Sequence, residues 1–441
     1  MFKKEILCIL SLLCMPEAFA SLDFSGMTYP ALQETPSAST GLESVYILHS
    51  TQSVTAHYRT DKTGVKVLRF SSLGGGYAQE ITAVQNGNDL TFNLEQGDMG
   101  YMIEEPGSTP KCYWVTDYSA HPYQVESVEK SDDSDCATAV LSVNGQADRI
   151  TYYSVNGAPQ TLDRGIKIMY NTLEFNTDQN SYKGVTAENT FAYLSPTLQV
   201  PAPLCESSFS LTGDKFLEHW GIAHEVQSPV YAPWCVEAHT NAEQTTDQAD
   251  NEQSSGISGL GGSAPCEITF SAAVTDAAIY TQWQMSSNSM FDDIDRRFNE
   301  TEFTYTFTEQ GIMYVRFVAG NNDGTCEYIS EVYEVNIGES ALICPNAFSP
   351  GASEGINDEW KVSYKSIVDF ECHIFNRWGQ KMAELRSPQQ GWDGKYKGKI
   401  VPAGVYYYVI KATGSDGRKY NLNGDINIIN YSNSQPATNN K

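Results

Sequence analysis

Short runs of β-branched and aromatic residues, separated by turn residues, constrain this fold most strongly. Examples are "ESVYILHS", "SVTAHYRT", "DRITYYSVNG" and "MYVRFVAG", bounded by Gly, Asn, Asp and Ser. Apolar and polar residues alternating over four to eight positions are typical of β-strands. One short helix is expected near "GDKFLEHWGIAHE", opening after Asp214. We predict an all-β chain of tandem immunoglobulin-like β-sandwich domains, followed by a C-terminal β-sandwich.

The first twenty residues have the pattern of a secretory signal peptide. Lys3 and Lys4 precede an apolar run from Ile6 to Met15, and Ala18-Phe19-Ala20 has the form of a cleavage site. The run is too short to span a bilayer. We therefore predict an exported protein that starts near Ser21 and has no transmembrane segment after signal removal.

Eight cysteines follow the signal peptide, an even number in an oxidising compartment. Such cysteines are expected to form disulfides, although eight of them allow 105 connectivities. Pairing of sequence neighbours, with an inter-sheet bridge in the third domain, gives three hypotheses: Cys112–Cys136, Cys205–Cys235 and Cys266–Cys326. Cys344 and Cys372 stay unassigned. No Cys-x-x-Cys is present, which argues against a zinc or redox site.

The charge is distributed unevenly. Residues 21–340 contain 43 acidic and 14 basic residues, whereas residues 341–441 contain 9 and 12. A surface this acidic argues against nucleic acid as a partner. The change of composition near residue 340 indicates a separate C-terminal module.

Composition suggests where the domains divide. The stretch 237–265 is polar and poor in core-forming residues, as in a linker. Residues 91–114 and 306–328 share a Phe, Glu-Gln-Gly, Tyr and Cys pattern, which favours a repeated sandwich fold. The predicted organisation is: signal peptide, 1–20; immunoglobulin-like domain, 21–119; second β-rich domain, 120–236; linker, 237–265; immunoglobulin-like domain, 266–340; C-terminal domain, 341–431; tail, 432–441.

No catalytic or metal motif emerges from residues 21–340. His219 and His224 lie five apart and lack a third ligand nearby, and the acidic runs 132–135 and 291–295 lack the spacing of a calcium loop. We expect no enzyme activity, no catalytic residue, no metal and no cofactor. Paired carboxylates for glycan hydrolysis remain an alternative, because their separation is invisible in sequence.

The C-terminal region carries four separated motifs: "PNAFSP…GINDEW", "IFNRWGQ", "WDGK" and "PAGVYYYVI". In this order they resemble the gliding motility-associated C-terminal domain, or type B sorting domain, of proteins that Bacteroidota export by type IX secretion. The matching positions are: Pro345, Asn346, Phe348, Pro350, Asn357, Asp358, Trp360, Phe375, Asn376, Arg377, Trp378, Gly379, Trp392, Asp393, Gly394, Pro402, Gly404, Tyr406 and Tyr407.

This resemblance implies an immunoglobulin-like sandwich that the type IX secretion machinery recognises during export to the cell surface or medium. We expect Trp360, Trp378 and Trp392 to act mainly by packing this domain. The first loop reads "GASEG" where the family often has Asn-Gly-Asp-Gly, which puts ion binding there in doubt. Residues 266–337 resemble, more weakly, the immunoglobulin-like or polycystic-kidney-disease-type repeats found before such domains.

Two functions are therefore weighed for the front half. The first is a structural or adhesive surface component, such as an adhesin, which acts without catalysis. The alternative is a surface protein that binds or cleaves glycans. An exposed aromatic stripe using Trp114 or Trp220 would favour glycan binding. An extracellular glycan or protein is accordingly the expected partner of residues 21–340.

Overall fold

The computed structural model describes residues 21–350 and 357–429. The predicted signal peptide and the predicted tail lie outside the described residues. The chain divides into two compact units, Met1–Thr172 with Gly184–Ala232, and Leu173–Lys183 with Pro233–Lys441. Among the described residues, no helix has both the length and the apolar character needed to span a membrane.

The first unit begins with a two-sheet sandwich. Its strands are β1 Leu22–Ser25, β2 Leu32–Glu34, β3 Ser44–Leu48, β4 Thr55–Arg59, β5 Lys66–Phe70, β6 Gln79–Ile81, β7 Val84–Asn86, β8 Asp89–Asn93, β9 Met99–Glu104 and β10 Lys111–Asp117. One sheet has the order β1-β4-β8-β7 and the other β2-β3-β10-β9-β5-β6. Inward residues of both sheets, including Tyr58, Phe92 and Tyr113, form one core cluster.

A second β-rich region completes this unit. Its elements are β11 Gln124–Lys130, β12 Thr138–Gln146, β13 Ile150–Tyr153, β14 Pro159–Leu162, β15 Ile166–Asn176, β16 Ser181–Phe191, β17 Thr197–Pro201, β18 Ser210–Gly213, the helix α1 Lys215–His219 and β19 His224–Gln227. Residues 173–183, at the ends of strands β15 and β16, are an exception, because they belong to the second unit. The predicted helix is present but short, and the Asp214 carboxylate accepts hydrogen bonds from the Phe216 and Leu217 amides at its start. Three 3₁₀ turns, Ala38–Thr40, Gly75–Tyr77 and Tyr118–Ala120, also lie in this unit.

The predicted border at residues 119 and 120 crosses a shared core. One cluster joins Trp114 and Phe70 of the first sandwich to Tyr118, Ile150 and Trp220. Side chains from both sides of the border thus exclude water together, and that border stays a prediction.

The predicted linker 237–265 is wrong as a description of this segment. It contains β20 Ala238–Gln244 and β21 Leu260–Gly262. β20 pairs with β22 (Cys266–Val274) over seven positions. Composition misled here because an edge strand needs backbone hydrogen bonds more than apolar side chains.

The third sandwich continues from these strands. It adds β23 Tyr280–Ser286, β24 Arg296–Phe298, β25 Glu302–Phe307, β26 Gly311–Gly320, β27 Glu327–Ile329 and β28 Tyr333–Ile337. One sheet has the order β20-β22-β25, and the other runs β21-β28-β26-β23-β24, with β27 also on β26. Trp283 is fully buried between the sheets, with its ring 5.0 Å from that of Phe317 and 5.6 Å from that of Phe270.

The C-terminal sandwich has nine strands among the described residues. They are β29 Ala341–Ile343, β30 Ala347–Phe348, β31 Ser363–Lys365, β32 Ile367–Phe375, β33 Lys381–Leu385, β34 Lys395–Tyr396, β35 Lys399–Ile400, β36 Gly404–Gly414 and β37 Lys419–Ile428. The main sheet has the order β30-β37-β36-β32-β33. Three of the four sandwich regions share one feature: a late strand pairs in parallel with an early one, β10 with β3, β28 with β21 and β37 with β30.

Two predicted disulfides are wrong. Cys112 and Cys266 are buried free thiols, whereas Cys136 and Cys326 are disulfide-bonded. Cys112 packs in the core, while Cys136 lies in the turn before β12. Cys205 and Cys235 are half-buried, and a bond between them stays a prediction.

Strand geometry explains why the predicted inter-sheet bridge does not form. The Cys266 thiol lies 3.7 Å from the Gly261 carbonyl oxygen, beside the end of β26 that begins at Gly311. Cys326 lies beyond Gly320 at the other end. A ten-residue strand is about 30 Å long, far beyond the reach of a disulfide.

Candidate functional site

The motif residues of the C-terminal sandwich divide into a buried set and an exposed set. Phe348, Trp360 and Trp392 are 3%, 0% and 3% exposed and belong to the domain core. The Trp392 ring lies 5.6 Å from the Phe348 ring, and the Trp360 indole donates to the Pro345 carbonyl at 2.7 Å. The predicted packing role of Trp360 and Trp392 fits this placement.

Other members of the motif support this core through the backbone. Asn346 accepts a hydrogen bond from the Asn427 amide and so fixes the entry of β30 beside β37. Gly394 has a φ of +71°, and a Cβ there would lie 3.0 Å from Pro350 and 3.3 Å from Phe348. A side chain at that position would therefore strain the backbone and crowd the core.

Trp378 does not pack the domain, and the prediction that it does is wrong. Its side chain is 75% exposed. It lies at the tip of the turn between β32 and β33, where the Asn376 side chain accepts hydrogen bonds from the amides of Trp378 and Gln380 at 3.0 Å. Gly379 closes the turn with a φ of +78°. Since the turn is held by Asn376 and Gly379, its geometry leaves the indole free to face solvent.

Trp378 forms one wall of a surface groove, which we call the tryptophan groove. The Arg377 guanidinium lies 4.3 Å from the centre of the indole ring. The opposite wall comes from β34, β35 and the start of β36, and the groove encloses about 420 Å³. Its lining includes Arg377, Trp378, Tyr396, Lys399, Ile400 and Val405.

The groove has aromatic, apolar and basic character together. Ile400 and Val405 are 54% and 43% exposed, unusual values for large apolar side chains. The side-chain amide of Gln380 donates a hydrogen bond to the Tyr396 hydroxyl at 3.0 Å and so links the turn to the opposite wall of the groove. Partial burial raises the pKa of Tyr406 at the base of the groove. Two cations and several rings are well suited to holding a peptide or another protein surface.

The apolar surface continues from the groove along the outer face of β36. Val405, Tyr407 and Val409 alternate with inward residues and are each 43–45% exposed. Phe375 lies opposite Tyr407 on the neighbouring strand β32. We call Val405, Tyr407 and Val409 the outer stripe. It joins the second sequence motif to the fourth on one face of the sheet.

A nearby cluster could hold a metal ion by composition, but its charges are already paired. Glu371, His373 and Glu384 place ligand atoms within 4.8 Å of one another. Lys381 and Arg386 donate to Glu384 at 2.6 and 2.8 Å. The hydrogen bond from Lys381, followed by that from Arg386, lowers the pKa of Glu384 to about 2. The arrangement is a surface ion-pair network in which Lys381 and Arg386 already neutralise the Glu384 carboxylate.

These positions agree with a comparison against known families. Residues 342–428 match the family model described as the CHU_C type IX secretion signal domain. The C-terminal sandwich is similar to a type IX secretion signal domain. Residues 127–228 match the fibronectin type III domain model. No curated protein matches the chain.

Two solved structures are also similar in part. The tetra-tandem repeat from the extending region of a large adhesion protein is 11% identical, covers 86% of this chain and 97% of its own, and gives a TM-score of 0.21. The FN1–FN3 domains of chicken CNTN1 are 10% identical to this chain. The match covers 70% of this chain and 99% of the CNTN1 chain, with a TM-score of 0.25.

Sequence reasoning found the residues of the signal domain but not their arrangement. It grouped the tryptophans as packing residues, because sequence pattern does not separate a turn tip from a strand interior. The tip position was visible in "FNRWGQ", where Asn and Gly frame a two-residue turn around Arg377 and Trp378. No local sequence pattern indicates that Ile400 lines the same groove as Trp378.

Proposed function

We propose that the signal domain directs export through the type IX secretion machinery, and that the tryptophan groove and the outer stripe are the face that the machinery recognises. The match of residues 342–428 supports the export role. The 75% exposure of Trp378 carries the assignment of the face. Trp360 and Trp392 are explained by the core, whereas folding gives no reason for an exposed indole at a motif position.

The chemistry of the face suits recognition of another protein. Exposed apolar surface beside polar groups marks interaction sites, and Trp, Tyr and Arg dominate the binding energy of many interfaces. Here Arg377 and Lys399 flank Trp378, Ile400 and Val405. The face therefore offers apolar contacts and favours an acidic or carboxylate-bearing partner surface.

For the front half we propose a structural or adhesive role on the outside of the cell. Residues 127–228 match a fibronectin type III domain, and the chain forms two-sheet sandwiches. Such sandwiches can present binding surfaces, and the fold by itself does not imply catalysis. The glycan-binding alternative loses one of its sequence supports. Trp114 and Trp220 are 1% and 6% exposed, so neither contributes an exposed aromatic stripe.

The face can be tested by separating recognition from folding. In a host with a working type IX system, we expect Trp378→Ser combined with Tyr407→Ser to reduce the exported fraction strongly while the protein stays folded. A matched control is Ile279→Ser with Tyr280→Ser, since these residues are 68% and 48% exposed in the third sandwich. Normal export of the groove variant, or equal loss in the control, would refute the assignment of this face.

A further inference from the structure

Three polar side chains form a hydrogen-bonded row on the outer face of the first sandwich. The Ser25 hydroxyl oxygen lies 2.8 Å from His57 Nε2. His57 Nδ1 lies 3.1 Å from an Asp89 carboxylate oxygen. The imidazole thus contacts a hydroxyl through one nitrogen and a carboxylate through the other.

Strand register places this row across the sheet. β1, β4 and β8 are neighbours, and Ser25 lies opposite Thr55 while Asp89 lies opposite Arg59. His57 stands midway between Thr55 and Arg59 on the central strand. Outward side chains one diagonal step apart are within reach of each other across a sheet. The row is therefore fixed by backbone pairing on both sides of His57.

The order of the groups is that of an activated nucleophile. A carboxylate on Nδ1 holds the imidazole in the tautomer that leaves Nε2 free to accept a proton from serine. Asp89 is the positioning residue, His57 the general base and Ser25 the nucleophile. The sequence gives no warning of this, because 32 residues separate each consecutive pair.

The row lines an open polar groove rather than a flat surface. Its lining includes Arg59, Asn88 and Asp23 beside the three residues of the row. Arg59 lies on the same outward face of β4, opposite Asp89, at the carboxylate end of the row. The groove is open and polar, so it suits a small acyl group on a larger, solvated molecule.

We propose that Ser25, His57 and Asp89 form an acyl-transfer site that hydrolyses esters of small acyl groups. The Ser25 oxygen bonds to the ester carbonyl carbon as its proton passes to His57 Nε2. The tetrahedral oxyanion collapses, the carbon–alkoxide bond breaks, and His57 returns the proton to the leaving alcohol. Water then attacks the acyl-serine, gives its proton to His57, and releases the acid as the Ser25 hydroxyl regains a proton. This site does not depend on the export proposal.

The test uses the full chain from Ser21 onward, with a fluorophosphonate probe and p-nitrophenyl acetate. We expect the probe to label Ser25, identified by peptide mass, and Ser25→Ala to abolish both labelling and ester hydrolysis by this site. In His57→Ala we expect hydrolysis to fall about 100-fold, the usual scale for losing a general base. Controls are Ser210→Ala, whose hydroxyl bonds Glu225 at 2.5 Å, and His224→Ala, an exposed histidine. Both should behave as the unmodified protein.

Asp89 needs a readout that a purely structural role would not change. Asp89→Asn keeps the shape but removes the charge, so we expect kcat to fall with KM little changed, and the pH–rate profile to move. Ser25→Cys keeps a nucleophile in place and should alkylate with iodoacetamide faster than the double variant Ser25→Cys/His57→Ala. Absence of Ser25 labelling, or equal alkylation of the two cysteine variants, would overturn the proposal and leave the row a passive hydrogen-bonded chain.

Discussion

Trp360 and Trp392 bond to each other through their backbones in both directions. The Trp360 amide donates to the Trp392 carbonyl at 2.9 Å, and the Trp392 amide donates back at 3.0 Å. This isolated bridge ties the first sequence motif of the signal domain to the third. The two tryptophans, 32 positions apart in sequence, therefore close one core: their rings fill it, and their backbones join the segments around it.

The buried and exposed tryptophans should respond differently to truncation. We expect Trp360→Ala to lower the free energy of unfolding of the signal domain by about 3–5 kcal/mol, because it leaves a cavity in the core. Trp378→Ala should change it by less than about 0.5 kcal/mol, as is usual for surface sites. Calorimetric transitions of the full chain provide the measurement. Similar losses for both variants would contradict the burial described above.

A buried ion pair lies within the first unit. Arg164 and Asp214 are both fully buried and 2.7 Å apart, and Arg164 also donates to the carbonyls of Asp148 and His121. Arg164→Met would leave the buried Asp214 carboxylate without its cation. We expect the free energy of unfolding of the first unit to fall by about 3–5 kcal/mol.

The control for this prediction is the exposed pair Lys167–Glu218. Lys167→Met should cost no more than about 1 kcal/mol, because surface ion pairs contribute little. Urea unfolding followed by intrinsic tryptophan fluorescence, to which the buried Trp114 and Trp220 of this unit contribute, compares the two variants. A smaller shift for Arg164→Met than for Lys167→Met would be inconsistent with the buried network.

The cysteine assignment can be checked by alkylation. Burial raises the pKa of the Cys112 and Cys266 thiols to about 11. Both should therefore resist alkylation at pH 8 in the folded chain and react once it is unfolded, since the thiolate is the nucleophile. Cys136 and Cys326 should react only after reduction. Peptide mass mapping that finds Cys112 or Cys266 in a disulfide would disprove the assignment.

Acid titration tests the ion-pair network beside the groove. The pKa of Glu384 is lowered to about 2 from 4.5, chiefly by the hydrogen bond from Lys381. Its contribution to stability is therefore fully present above pH 4.5 and is lost as the pH falls towards 2. Carboxylate NMR should show the low midpoint, and Lys381→Ala should raise it. A normal midpoint in the unmodified chain would rule out the network in solution.

Local pattern was sufficient for the sandwich class and for the buried face of the signal domain. Trp360, Val362 and Tyr364 alternate in sequence and are all buried, as period-two reasoning predicts. The same reasoning misses features that depend on which strands pair with each other. Polar β20 is a strand because β22 offers it hydrogen bonds, and Ser25 meets His57 because their strands align in register.

The most direct measurement concerns export itself. A chain lacking residues 341–441 should be compared with the full chain in a host with a working type IX system, by fractionating periplasm, cell surface and medium. We predict that the truncated chain folds and stays in the periplasm. Residues 341–441, placed behind a signal peptide and a reporter, should carry the reporter to the surface or medium. Equal export of the truncated and full chains would contradict the central claim.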